Sequence, residues 1–308
     1  MKIINNNFDN IENFENFDFE SFIKKITKYI SSFGLEEDRV SQIYIDLLNT
    51  VIEYSGGVEY AIKYNGAVNK RKYPSYASAF HTLVELIKTD DGINVSSGIV
   101  IRNNIKTNLH IFVHEFFHAS SEKRILMYDN NLFYTKAGFS LNYWNKEEKV
   151  INGEYDFGAL NEGITEILTQ GFLNEKGQNN YLFQVVLAKM LCKYDSSIIE
   201  AYFSREDTEI LAFANKFNEL QDTMQSSEFA KLPIFIIYDE DLIYKALKSC
   251  IEYSFNCCKE MNIPFEKEWI IELVSQLDES LDYKLDNNSY VEMANAIIEQ
   301  IMVNNRTK

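Results

Sequence analysis

Apolar residues recur every three to four positions between residues 19 and 33, at Phe19, Phe22, Ile23, Ile26, Ile30 and Phe33. That spacing predicts an amphipathic helix. Residues 36–54 and 76–88 carry the same period and are also read as helices. Gly98-Ile99-Val100-Ile101-Arg102 is a short β-branched run opened by a glycine, and it predicts a strand. A strongly apolar helix is expected over residues 106–122. The runs 125–128 and 132–135 flank Asp129-Asn130-Asn131, whose turn-forming side chains predict a β-hairpin. Residues 142–157 read as loop and 158–173 as a second apolar helix. Beyond about residue 179 nearly everything has helical period, with breaks near Asp195, Arg205, Pro233 and Pro264. The Asn-rich opening reads as frayed. The pattern predicts a mostly helical α+β protein in three segments. These are a helical stretch over 1–95, a small α+β core over 96–175 and an all-helical lobe over 176–308.

Composition narrows this picture more than it changes it. The chain has 308 residues, 46% of them hydrophobic and 14% aromatic, which is ample for a packed core. Asp and Glu number 46 against 30 Lys and Arg, a net charge of −16. A phosphate-binding surface needs clustered basic side chains, so nucleic acid is not an expected partner. No apolar run reaches the length of a membrane-spanning helix, and the N-terminus lacks a signal-peptide core, so a cytoplasmic location is expected. The cysteines Cys192, Cys250, Cys257 and Cys258 do not form the framework of a small disulfide-rich domain.

The chemistry concentrates in nine residues. Three of the four histidines lie in His110-Ile111-Phe112-Val113-His114-Glu115-Phe116-Phe117-His118. Positions i and i+4 of a helix share a face about 6 Å apart along the axis, so one such pair can bind one ion. His110 and His118 stand two turns apart, about 12 Å of rise, so all three cannot bind a single metal. Glu115 selects the 114/118 pair, because a glutamate directly after the first ligand stands where it can take a proton from a metal-activated water. A catalytic zinc needs a third protein ligand and an open fourth position. No histidine follows His118, so that ligand must be a carboxylate, a cysteine or His81. Glu162 is the best candidate. It stands four residues before Glu166 on an otherwise apolar helix, a like-charge relation that would be costly if buried alone. A cation on Glu162, with Glu166 bonding a ligand histidine, relieves it.

Together these residues resemble the gluzincin metallopeptidases. Gly158-Ala159-Leu160-Asn161-Glu162 is similar to the helix of thermolysin-like enzymes that supplies the glutamate ligand. The resemblance implies His114, His118 and Glu162 as ligands of one Zn2+, Glu115 as general base and Glu166 as the carboxylate that orients a ligand histidine. Two departures stand out: Glu166 occupies a position held by aspartate in that family, and residues 119–161 make a longer gap. The gap is closer to that of the lethal-factor-like and Pro-Pro-endopeptidase catalytic domains, which place a tyrosine seven residues before the glutamate ligand. Tyr155 stands there in this chain, and the resemblance implies that it stabilises the oxyanion; Tyr143 and Arg124 are alternatives. The likeness covers roughly residues 97–173. It implies a zincin-like core, a peptide or protein substrate and hydrolysis by a metal-activated water. Strand 98–102 or strand 132–135 is expected to offer an edge to an extended peptide. The alternative is a zincin-like metal-binding protein that acts in binding or regulation without peptidase activity.

Overall fold

The computed structural model describes residues 2–5, 18–55, 59–64, 67–72, 79–89, 92–102, 109–121, 123–127, 132–145, 149–156, 158–175, 181–204, 240–280, 285 and 289–306. Helix is the larger part of its regular structure, and the rest is strand. The chain divides into two compact units. One comprises residues 1–152, 168–175 and 203–205; the other comprises 153–167, 176–202 and 206–308.

In the first unit, α1 (Phe19–Ser31) and α2 (Glu37–Leu48) follow the expected period. Asp18 caps α1 by accepting from the Ser21 amide at 3.0 Å, which satisfies one of the amides left unbonded at a helix start. The strands are β1 (Lys2–Asn5), β2 (Val51–Ser55), β3 (Glu59–Tyr64), β4 (Ala67–Lys72), β5 (Ala79–Thr89) and β6 (Gly92–Arg102). They form one sheet in the order β1-β2-β6-β5-β3-β4. β2 runs parallel to both β1 and β6, and β5 is antiparallel to β6 and parallel to β3. The site helix α3 (Leu109–Ser120) lies against β5, β6 and α2. Ile99, Val100 and Ile101 of β6 are consecutive and all buried, so both faces of this strand are covered.

A second sheet has the order β10-β9-β8-β7, built from β7 (Lys123–Met127), β8 (Leu132–Ala137), β9 (Ser140–Asn145) and β10 (Lys149–Asp156). The expected hairpin is its β7/β8 pair, antiparallel in register from Lys123↔Ala137 to Met127↔Phe133. The turn 129–131 lies outside the described residues.

Four expectations are corrected. The apolar period predicts helix over 76–88, but β5 occupies 79–89. Its apolar pairs at Phe80, Leu83, Val84, Leu86 and Ile87 mimic helical period, yet strand partners on both sides claim the backbone, with a bulge between Leu83 and Glu85. The helix expected over 36–54 stops at Leu48, and 51–55 is a strand between β1 and β6. Of the opening expected to be frayed, Lys2–Asn5 is paired with β2, and residues 6–17 lie outside the described residues. The loop expected over 142–157 is mostly strand, because β8 gives Asn142, Tyr143, Trp144 and Asn145 a ladder to join.

In the second unit, α5 (Leu182–Tyr194), α6 (Ser197–Phe203), α7 (Glu240–Met261), α8 (Lys267–Glu279) and α9 (Tyr290–Arg306) are helices, as their periodicity predicts. The breaks at Asp195 and Pro264 fall between them, whereas those near Arg205 and Pro233 lie outside the described residues. Helix α4 (Gly158–Leu173) runs unbroken from residues of the second unit into residues of the first.

Candidate metal centre

Helix α3 has two faces of different chemistry. Phe112 and Phe116 lie on one, with ring centroids 4.7 Å apart and Phe22 of α1 within 5.6 Å of both. About 200° around the helix, two residues on from each, are His114 and His118. His114 is 4% exposed and His118 is 9% exposed. Their rings meet edge to face at 4.8 Å, and the two Nε2 atoms stand 3.2 Å apart. Two nitrogens bound to one tetrahedral ion at about 2.1 Å would stand about 3.4 Å apart, so these rings are already at the spacing a shared ion requires.

Glu162 comes from the second turn of α4. A donor atom from each of His114, His118 and Glu162 lies within 4.8 Å of the others, and this is the only group of three or more such ligand side chains among the described residues. Neither His81 nor a cysteine belongs to it. The His81 ring stacks 6.4 Å from His118, and the four cysteines are not in disulfides. Two imidazoles and one carboxylate make a donor set suited to a transition ion such as zinc, and with three protein ligands a fourth position is left for a small molecule.

Glu115, the residue after His114, is 7% exposed. Glu166 is buried at 1%, and its negative charge favours the protonated form of Lys189 on α5, while burial of that lysine, the larger effect, lowers its pKa. Tyr155 lies on β10, close before the start of α4; its side chain, like those of Tyr143 on β9 and Arg124 on β7, is outside the described set. The two strands expected to offer an edge do not do so. The stretch 98–102 pairs with β2 along its whole length and with β5 up to Ile101, and β8 is sandwiched between β7 and β9. Strands that form a sheet interior have no unpaired amides for a peptide to bond.

Sequence reasoning missed what holds α4 in place. A Cβ on Gly163 would stand 2.4 Å from the Gln184 carbonyl oxygen, so the absent side chain lets α5 approach the turn that bears Glu162. At the other end of α4, Phe172 makes edge contacts with Phe22, Tyr29 and Phe117, the last at 6.0 Å on α3. A glycine beside a candidate ligand was the available signal for the first of these. The aromatic contacts join residues far apart in sequence and left no local mark.

No helix among the described residues is long and apolar enough to cross a membrane. No protein-family model, curated protein or solved structure matches the chain.

Proposed function

We propose that His114, His118 and Glu162 hold one zinc ion and that the chain is a peptidase built on a zincin-like core, with Glu115 as its general base. The observation that carries this reading is the convergence of the three donors, with the two Nε2 atoms 3.2 Å apart on one helix face. Its second support is Glu115. A site that only bound a metal would have no use for an acidic residue next to a ligand on a buried helix, where a carboxylate is costly.

Zinc, when bound, would polarise a scissile carbonyl and lower the pKa of a water molecule. The chain's own residues do the rest. Glu115 accepts the proton of the attacking water and returns it to the leaving amine. Tyr155, on the strand that leads into α4, donates a hydrogen bond to the developing oxyanion. Glu166 orients a ligand imidazole through its second ring nitrogen. The substrate is a peptide or protein.

Protein purified without chelator or nickel resin should contain one zinc per chain by elemental analysis. Glu115→Gln should retain that zinc and lose cleavage of a peptide library followed by mass spectrometry, because an amide cannot take the proton. Absence of stoichiometric metal from the unaltered protein would end the zinc assignment. Full cleavage by the Glu115→Gln protein would end the role given to Glu115. Metal without cleavage by the unaltered protein would leave a binding protein.

A further inference from the structure

The first turn of α3 carries a histidine that the three-donor group does not use. His110 is 4% exposed, and its Nδ1 lies 3.3 Å from Oε2 of Glu175. A carboxylate can only accept, so the imidazole nitrogen is the donor and carries the proton. His110 lies one turn before His114 and two before His118, on the same face of the helix.

Glu175 reaches His110 because α4 ends in a defined way. Asn174 adopts the left-handed conformation, φ 53°, and the Glu175 amide donates to the Gln170 carbonyl at 3.1 Å. A left-handed residue followed by an amide bonded five residues back is the Schellman stop, which sets the path of the chain as it leaves a helix. The path of the backbone at Glu175 is therefore set by the helix that carries Glu162. The Phe117–Phe172 ring contact joins the same two helices.

We propose that His110 and Glu175 are a positioning pair for the metal centre, tying the histidine face of α3 to the C-terminal end of α4 so that the ligands on the two helices meet in one geometry. The inference rests on the metal reading given above. Neither residue touches the ion. The pair acts by limiting how far α3 can rotate or slide against α4, and a polyhedron of three ligands from two helices loses affinity when either moves.

The test measures zinc affinity by competition with a chromogenic chelator in the full-length protein, its variants Glu175→Ala and Glu175→Gln, and the double variant His110→Phe/Glu175→Ala. Circular dichroism establishes that each is folded. Glu175 is half exposed and lies beyond the helix, so its loss should leave the fold intact. Glu175→Ala should weaken zinc binding about twofold to fivefold, the range that a half-exposed ion pair can pass on. Glu175→Gln should recover most of that loss, because its amide oxygen still accepts from Nδ1. The double variant should bind no more weakly than Glu175→Ala. Affinity unchanged in a folded Glu175→Ala protein would overturn the positioning role and leave the metal centre standing. No zinc binding by the unaltered protein would overturn both.

Discussion

Burying a carboxylate or an imidazole is costly unless a partner answers it, so the residues of α3 and α4 are best read by asking what answers each. Histidines 114 and 118 turn their Nε2 atoms to one point, His110 donates to Glu175, and Glu166 meets the charge of Lys189. The opposite face of α3 carries Phe112 and Phe116, and the two faces should separate in experiment. Phe116 is fully buried, with Phe22 at 5.2 Å and Phe112 at 4.7 Å. Phe116→Ala should therefore cost roughly 3–5 kcal/mol of stability in urea unfolding, the usual range for deleting a buried ring. Its folded form should still bind zinc with unchanged stoichiometry, since the histidines lie on the other side. A variant that stays as stable as the parent would show that the aromatic face is not the anchor of this helix.

Among the elements, α4 shows most clearly how small residues set a site. Gly163 and Gly171 both lie within it, where glycine lowers helix propensity by about 1 kcal/mol relative to alanine. Replacement by alanine would recover that amount if space allowed. At Gly163 the obstacle is backbone, the Gln184 carbonyl oxygen at 2.4 Å, which cannot move without shifting α5. At Gly171 it is the Tyr29 hydroxyl at 2.2 Å, the end of a side chain that can swing away, though its ring packs against Phe33, Phe117 and Phe172. Gly163→Ala should therefore lower the melting temperature, with an overpacking cost of roughly 1–3 kcal/mol. Gly171→Ala should lower it less or not at all, and the reverse order in thermal unfolding would contradict this packing. Helix ends elsewhere use local devices. Asn262, φ 55°, stops α7 just before Pro264, with the Ile263 amide bonded to the Cys258 carbonyl. Ser289 and Glu292 form a reciprocal capping box at the start of α9, where the Asp278 carboxylate also accepts from the amides of Tyr290 and Val291.

Taken over the full chain, the helical unit carries titratable groups that its own packing has shifted. Burial pushes the Tyr194 hydroxyl up to about 12, and burial together with Asp195 raises Tyr253 further. A group whose folded pKa is raised contributes stability that is complete below its unfolded value and is lost as pH climbs through the folded value. Stability in urea should thus decline between about pH 10 and pH 12, and Tyr194→Phe should flatten that decline; an unchanged slope would remove Tyr194 as a contributor. Features that depend on near neighbours were already readable along the chain. The period of α1 was legible in its apolar spacing, and α4 was legible over its full length. The β7/β8 hairpin showed in its turn residues, and the His114-Glu115-x-x-His118 spacing in the rigidity of a helical turn. Other features needed partners distant in sequence. The apolar doublets of residues 79–89 suit a helix or a central strand, and only β6 and β3 alongside select the strand. In residues 142–145 the strand-forming Tyr143 and Trp144 are offset by the flanking asparagines, and the stretch becomes β9 because β8 is there to pair with. Glu162 was the leading carboxylate along the chain through its place four residues before Glu166, but only the fold brings it within 4.8 Å of two histidine nitrogens, because convergence of side chains distant in sequence leaves no local mark.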